Sequence, residues 1–199
     1  MTKFITLAGR KQTGKDTSAK FIADIIYRIS DKKCKIVHFA DALKIACSTI
    51  FGIVPEDMET EAGKRKETDV AWPSWYENKP EGRDYMTVRE VLQFVGTEMF
   101  RHQLDEDIWV KSVFRQKYDD DDIIIIADCR FPNEADYSKE HGLLLCVKRD
   151  TGLPADAHAS ELALDEYSDY HDIVDNNHSL GELYASLVET LSKHGFLKS

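Results

Sequence analysis

The stretch "KFITLAGRKQTGKDT", residues 3–17, joins an apolar run to a glycine-containing loop. The apolar run predicts a buried β-strand, and the residues after Lys15 have apolar side chains at the spacing of one helix face. Those positions are Phe21, Ile22, Ile25, Ile26 and Ile29. Between strand and helix, Gly9, Gly14 and Lys15 occupy the first, sixth and seventh positions of the pattern GxxxxGK followed by Ser or Thr. The stretch therefore predicts a phosphate-binding loop between a strand and a helix.

The chemistry of such a loop depends on its backbone and its lysine. Small residues let backbone N–H groups surround phosphate oxygens, and the helix N-terminus adds partial positive charge. We expect Lys15 to reach the terminal phosphates of a donor, with Lys11 and Thr13 in the same binding loop. Asp16 stands where the pattern has Ser or Thr, and Thr17 follows it. Either of these two residues is a candidate ligand of the accompanying metal ion, and the sequence leaves both open.

Four further apolar runs predict the remaining strands of a sheet. They are "KIVHFA" (35–40), "DIIIIAD" (122–128), "LLLCVKR" (143–149) and "HDIVDN" (171–176). Helices are predicted between and after them, with Asp41 and Thr87 as N-caps and Pro132 in a first turn. Strands that alternate with helices are typical of a doubly wound α/β fold. We expect a mainly parallel five-stranded sheet with its ligand at the carboxyl ends of the strands.

The length of 199 residues favours one domain, 1–199, with an insertion. From residue 54 to 85 the strand and helix patterns give way to charged residues, prolines and aromatic residues. Such a segment is either disordered or a substrate-covering insertion. Its aromatic side chains favour the insertion: Trp72, Trp75, Tyr76 and Tyr85.

The net charge of −10 argues against non-specific binding to nucleic acid or to an anionic membrane, because the overall field repels both. No apolar run reaches the roughly 20 residues that a membrane span requires. The N-terminus lacks the pattern of a signal peptide. We therefore expect a soluble, cytoplasmic protein without a nucleic-acid or membrane partner.

Charged side chains follow two of the predicted strands. Asp128 ends "IIIIAD", the position at which phosphate-loop proteins hold Mg²⁺ with an acid. Asp16, Thr17 and Asp128 are therefore the candidate metal ligands. Arg130 comes two residues after Asp128, and Arg149 closes a later strand. Both are candidates for contacting the phosphates, Arg130 on the acceptor side and Arg149 as a bridging or lid-side residue, because phosphoryl transfer requires positive charge from several directions.

A second set of candidates lies on the helix predicted after Thr87. Arg89, Gln93, Gly96 and Phe100 are three or four residues apart and are expected to share one face. An arginine and an amide beside a glycine suit the phosphate and base edge of a nucleotide. An exposed polar face with a helix-packing glycine is the alternative.

Several segments together resemble one family. They are "GRKQTGKDT", "HFADALK", "VREVLQFVGTEMFR", "WV", "DCRFPNEAD", "HASE" and "IVDNN". Over residues 4–187 the chain is similar to the phage-type deoxynucleoside monophosphate kinases, a branch of the adenylate-kinase-like phosphate-loop fold. The similarity is weakest in residues 54–85. The aspartate at position 16 is a trait of this branch.

The resemblance implies transfer of the γ-phosphoryl group of ATP to a 2′-deoxynucleoside 5′-monophosphate, with Mg²⁺. It implies an acceptor-binding insertion over residues 54–107, in which Trp72 and Arg101 bind the acceptor together with Arg89, Gln93 and Gly96. It also implies a lid over residues 150–161. Asn176 lies where this fold cradles the adenine of ATP, the alternative being a cap for the last helix. The catalytic residues implied are Lys15, Asp16, Asp128, Arg130 and Arg149.

Two other functions remain open at this point. Similar GKD loops occur in animal-type phosphomevalonate kinases, and a nucleotide-switched binding module hydrolyses ATP slowly and signals by loop movement. The aromatic insertion favours a flat base over an isoprenoid precursor, because aromatic rings stack. The sequence leaves open the base specificity and the choice between a monomer and a homodimer.

Overall fold

The computed structural model describes residues 3–119, 122–150 and 163–197. The chain divides into two compact units. The first combines Met1–Phe39 with Val113–Ser199, and the second is Ala40–Ser112. The second unit contains the predicted insertion of residues 54–107 and extends beyond it at both ends.

A parallel sheet forms the centre of the first unit. Its strands, numbered along the chain, are β1 (Lys3–Ala8), β2 (Cys34–Val37), β5 (Ile123–Cys129), β6 (Leu143–Lys148) and β7 (Asp172–Asp175). In the described residues they lie in the order β2-β5-β1-β6-β7, and each pairing is parallel. β1 is central, with Ile5 opposite Ile125 on one side and Leu143 on the other. The predicted five-stranded α/β sheet is confirmed.

Helices cover this sheet and supply the rest of its core. They are α1 (Lys15–Ser30), α7 (Pro132–His141) and α8 (Leu180–Lys193). On α1, Ile22, Ile25 and Ile26 are fully buried, whereas Ile29, which we predicted on the same face, is half exposed in the last turn. Ser179 caps α8 in a reciprocal pair with Glu182. The alternative role of Asn176 as a cap for this helix is therefore wrong.

The second unit is a small helical unit with a two-stranded hairpin. It contains α2 (Asp41–Phe51), α3 (Pro55–Glu59), α4 (Glu61–Lys64), β3 (Glu67–Ala71), β4 (Tyr85–Thr87), α5 (Val88–Gln93) and a π-helix (Phe94–Arg101). α6 (Ile108–Phe114) contains the boundary residue Ser112. Residues 54–85 are thus folded, and Met58, Met86 and Val91 belong to the core of the unit.

The structure tests the two N-caps predicted here. Thr87 caps α5 as expected, in a capping box with Glu90. Asp41 was predicted to cap α2, but Ala40 occupies the N-cap position and Asp41 is the first helical residue. An aspartate in the first turn still favours the helix, because its charge complements the helix dipole.

Within the described ranges, no helix combines the length and the apolar character that a membrane span requires.

Candidate active site

The loop after β1 has the backbone of a phosphate cradle. Gly9, Gln12 and Gly14 all have positive φ angles, of 143°, 65° and 98°. The loop ends at Gly14, the N-cap of the 16-residue helix α1. A glycine cap has no side chain to accept from the first-turn N–H groups. These donors, together with the helix dipole, form an environment that attracts an anion.

Close approach explains both glycines of the loop. A Cβ atom at Gly9 would lie 2.5 Å from the carbonyl oxygen of Val147, on the neighbouring strand β6. A Cβ atom at Gly14 would overlap Nδ2 of Asn176. The loop is therefore pressed against the carboxyl ends of β6 and β7, and a larger residue at either position requires something to shift.

Lys15 lies under this loop rather than in solvent. Its residue surface is only 7% exposed. Its Nζ donates to the carbonyl oxygens of Gly9, at 2.6 Å, and Arg10, at 2.8 Å. Both acceptors belong to the loop itself, so the loop holds the ammonium group through its own carbonyl oxygens.

The three predicted metal ligands all offer oxygen atoms. Asp16 is exposed, and its Oδ1 lies 3.6 Å from Nε2 of His38. Asp128 is half-buried near the end of β5, and its Oδ1 accepts from the backbone N–H of Phe39 at 2.7 Å. Thr17 is half-buried in the first turn of α1. Carboxylate and hydroxyl oxygens are ligands that Mg²⁺ prefers, so the donor chemistry fits this ion.

A cavity of about 470 Å³ adjoins the phosphate loop. Gly9, Arg10 and Thr13 line it from the loop, and Tyr167 and Tyr170, which lie far along the chain, line it as well. Arg149 and Asn177 also belong to its wall. The predicted lid, residues 150–161, lies outside the described residues except for Asp150. The cavity has room and polar lining groups for part of a nucleotide.

Arg10 and Asp165 form an ion pair at this cavity that the sequence did not suggest. The guanidinium donates to both carboxylate oxygens, with Nε to Oδ1 at 2.7 Å. This pairing raises the pKa of Arg10, chiefly through its hydrogen bond to Asp165. The arginine at the second position of the loop is visible in the sequence, but nothing there links it to Asp165, which is so distant along the chain.

Arg130 stands directly after β5, and its backbone is held by a buried acid. Glu134, only 3% exposed, accepts from the backbone N–H groups of Arg130 and Phe131 at 2.9 and 3.2 Å. The acid fixes the turn between β5 and α7. The sequence predicted the helix start at Pro132 but did not identify this contact.

The predicted acceptor face on the helix after Thr87 is only partly present. Arg89 is half-exposed and donates to Glu61 at 2.6 Å, and Gln93 is exposed. Gly96, however, is buried against Leu43, and its carbonyl oxygen accepts from Nε1 of Trp109. Gly96 is thus the helix-packing glycine of the alternative interpretation. The chain changes from an α-helix to a π-helix at residue 94, so the spacing of an α-helix face does not continue from Gln93 to Gly96. The acceptor role of Arg89 and Gln93 stays a prediction.

The acceptor candidates of the insertion, Trp72 and Arg101, also belong to the second unit. Trp72 stacks on Tyr76, with ring centroids 5.3 Å apart and planes 3° apart, and meets Phe94 edge-on. Trp75 is 64% exposed. Arg101 ends the π-helix and is half-buried. Trp72 is therefore already engaged within the unit, while most of the Trp75 surface is open.

A parallel sheet in this strand order, with a glycine loop and a buried lysine between its central strand and the next helix, defines a P-loop kinase fold. Solved structures support this assignment of the fold. The chain is 11% identical to shikimate kinase from Aquifex aeolicus, with a TM-score of 0.50 and coverage of 96% of this chain and 98% of that one. It is 14% identical to shikimate kinase from Bacteroides thetaiotaomicron, with a TM-score of 0.50 and coverage of 97% and 98%.

Residues 33–187 match the family model described as deoxynucleotide monophosphate kinase. The chain is 30% identical, over 92% of its length and 93% of the relative, to an Acanthamoeba polyphaga mimivirus protein whose name places it among the deoxynucleotide monophosphate kinases. It is 27% identical to the deoxynucleoside-5′-monophosphate kinase of Escherichia phage T5, over 70% of this chain and 73% of that one. The chain belongs to the deoxynucleotide monophosphate kinase family, and the resemblance predicted from the sequence is confirmed.

Proposed function

We propose that the protein transfers the γ-phosphoryl group of ATP directly to a 2′-deoxynucleoside 5′-monophosphate. The observation that carries this proposal is the buried Lys15 inside a glycine loop at the start of α1, in a chain of this family. An oxygen of the acceptor phosphate forms a bond to the γ-phosphorus. The bond between that phosphorus and the β–γ bridging oxygen breaks, and ADP leaves with the oxygen.

The donor side of this reaction is assigned to the first unit. Backbone N–H groups of the loop bind the phosphates of ATP, and Lys15 exchanges its two loop carbonyls for phosphate oxygens. The adjoining cavity takes the part of ATP that extends beyond the loop. Charge stabilisation by such fixed donors is the main contribution that a protein makes to phosphoryl transfer.

Mg²⁺ would be held by oxygen atoms of Asp16, Thr17 and Asp128 and would supply charge neutralisation on the donor phosphates. The protein itself needs no general base. A phosphomonoester has a second pKa of about 6, so the acceptor phosphate is mostly deprotonated at neutral pH. Arg130 and Arg149 are assigned to the transferring and bridging phosphates.

The acceptor side is assigned to Arg89, Gln93 and Arg101 for the phosphate and base edge, and to Trp75 for the face of the base. The exposure of Trp75 supports this choice over Trp72, whose ring is stacked on Tyr76. The ion pair of Arg89 with the carboxylate of Glu61 supports its assignment to an oxyanion. A phosphate would replace that carboxylate.

A single panel of assays tests the function. The common ribo- and deoxynucleoside monophosphates are each supplied with ATP and Mg²⁺, and ADP formation is followed, with mevalonate phosphate as a further acceptor. We expect turnover that requires a deoxynucleotide. ATP hydrolysis at the same rate without any acceptor favours the nucleotide-switched binding module. Turnover with mevalonate phosphate as the only effective acceptor favours a phosphomevalonate-type kinase. Equal kcat/KM for AMP and dAMP, and for the other such pairs, contradicts exclusion of the ribose 2′-hydroxyl.

Asp128→Asn should raise the Mg²⁺ concentration needed for half-maximal activity by roughly tenfold, because it removes a charge from the metal ligands. The change is nearly isosteric, and the amide oxygen still accepts from Phe39, so the fold is retained. Magnesium titrations of both proteins at fixed ATP measure the effect. Asp172→Asn, which removes the same charge at the amino end of β7, is the matched control. Overlapping curves for Asp128→Asn and the parent assign the acid another role.

Arg89→Lys should raise the KM for the deoxynucleotide roughly tenfold, because lysine keeps the charge but loses the planar fork that binds phosphate at two points. ATP affinity measured without acceptor should stay within a few-fold. Arg130→Lys should instead lower kcat with less effect on either KM, because its contacts strengthen mainly in the transition state. Steady-state kinetics of the two variants decide the assignment. If Arg89→Lys changes only ATP binding, the acceptor has been placed on the wrong helix.

The cytoplasmic location stays a prediction from the sequence.

A further inference from the structure

Asn176 is a buried amide directly after β7 that contacts the phosphate loop. The residue is 6% exposed. Its Nδ2 donates to the carbonyl oxygen of Thr13 at 2.7 Å, and its backbone N–H donates to the carbonyl oxygen of Lys148 at 2.8 Å. The residue therefore joins the carboxyl end of β6 and the loop after β1, although β7 itself is at the edge of the sheet.

The contact is shaped by Gly14, the residue that follows Thr13. A Cβ atom at Gly14 would overlap Nδ2 of Asn176, so the amide occupies the space left by the missing side chain. Gly14 also has a φ of 98°, which residues with a side chain rarely adopt. The amide of Asn176 fills the space beside Gly14, and its presence leaves no room for a side chain at position 14.

The hydrogen bond determines how one peptide group of the loop is oriented. In a trans peptide, the carbonyl of Thr13 and the N–H of Gly14 lie in one plane and point in opposite directions. Because Asn176 binds the carbonyl, the N–H of Gly14 is turned to the side away from Asn176. A loop that binds phosphate through its N–H groups depends on such orientations being fixed before the ligand arrives.

We propose that Asn176 is a positioning residue for the phosphate-binding loop, which orients the Thr13–Gly14 peptide group for the phosphates of the donor. This inference rests on the proposed function, since it takes the loop to bind a nucleoside triphosphate. It differs from the role expected from the resemblance, contact with the adenine. A positioning residue affects the phosphates of any donor equally, whereas an adenine contact affects ATP alone.

Two neutral variants separate these roles. Asn176→Ala removes the whole amide, and Asn176→Leu keeps the branched shape but has no donor for the carbonyl of Thr13. Equilibrium binding of ATP, GTP and inorganic tripolyphosphate is measured for both variants and for the parent. We expect the affinity for all three ligands to fall by the same factor, roughly tenfold or more, with the ratio of ATP to GTP affinity unchanged.

Leu191→Ala is the control for a general loss of stability, because Leu191 is fully buried on α8 in the core cluster that includes Val174 of β7. It should lower the melting temperature but leave tripolyphosphate affinity at low temperature unchanged. The same behaviour in both Asn176 variants would overturn the proposal, and so would a loss confined to ATP with tripolyphosphate unaffected. If the parent protein binds none of the three ligands, the donor site of the proposed function fails as well. If binding follows our expectation but no phosphoryl group is transferred to a deoxynucleotide, only the proposed function is contradicted.

Discussion

Lys15→Ala is expected to lower turnover by roughly a hundredfold or more while the protein remains folded, since a fixed donor aimed at developing charge typically contributes that much. The ammonium group is buried within the cradle, held by the carbonyls of Gly9 and Arg10. Its removal takes away the charge nearest the expected donor phosphates. The β-sheet and its core do not depend on this side chain.

Coupled assays of ADP formation measure the loss, and thermal unfolding followed by circular dichroism verifies the fold. Lys20→Ala is the matched control, because Lys20 is exposed on the same helix and its loss should leave activity within a few-fold of the parent. Near-normal activity in Lys15→Ala would falsify the assignment of the loop to the donor phosphates.

Gly9→Ala should lower the free energy of unfolding by about 3 kcal/mol, since it combines backbone strain with overpacking. The φ of 143° disfavours any Cβ atom, and that atom would lie 2.5 Å from the carbonyl oxygen of Val147. The atom it meets belongs to the backbone of β6, which is paired with β1 and cannot rotate away as a side chain does.

Gly195→Ala is the control that has a positive φ without a steric contact. Gly195 also has a positive φ, of 70°, but a Cβ atom there meets nothing within 4 Å. Its substitution should therefore lower the free energy of unfolding by about 1 kcal/mol, the effect of the backbone alone. Urea unfolding of both variants and the parent makes the comparison. Equal losses for the two glycines would show that the contact with Val147 is relieved without cost.

The sequence was sufficient to predict the parts of the molecule that depend on local patterns. The strand, loop and helix around Lys15 follow from apolar spacing and from two glycines, and the position of Asp128 near the end of a strand follows from the apolar run before it. The Thr87 cap follows from a threonine three residues before a glutamate. In each case the physical cause lies within a few residues along the chain, so a single sequence contains it.

Features that depend on distant residues were not predictable in this way. The partner of Arg10 is Asp165, and the partner of Thr13 is Asn176; no periodicity links either pair. The π-helix from Phe94 to Arg101 has the residue types of an ordinary helix, so the predicted acceptor face was wrong at Gly96. The resemblance implied Trp72 as the acceptor residue, and only packing distinguishes its stacked ring from the exposed ring of Trp75.

The central position of β1 has a consequence for the order in which the protein folds. Both neighbours of this strand, β5 and β6, follow it in the chain after the whole second unit, as the pairing of Ile5 with Ile125 and Leu143 illustrates. Both partners become available to β1 only after the second unit has been synthesised, and pairings between strands so distant along the chain are associated with slow folding. The phosphate-binding loop, local as its sequence motif is, therefore receives its contacts with Val147 and Asn176 from segments that follow the second unit.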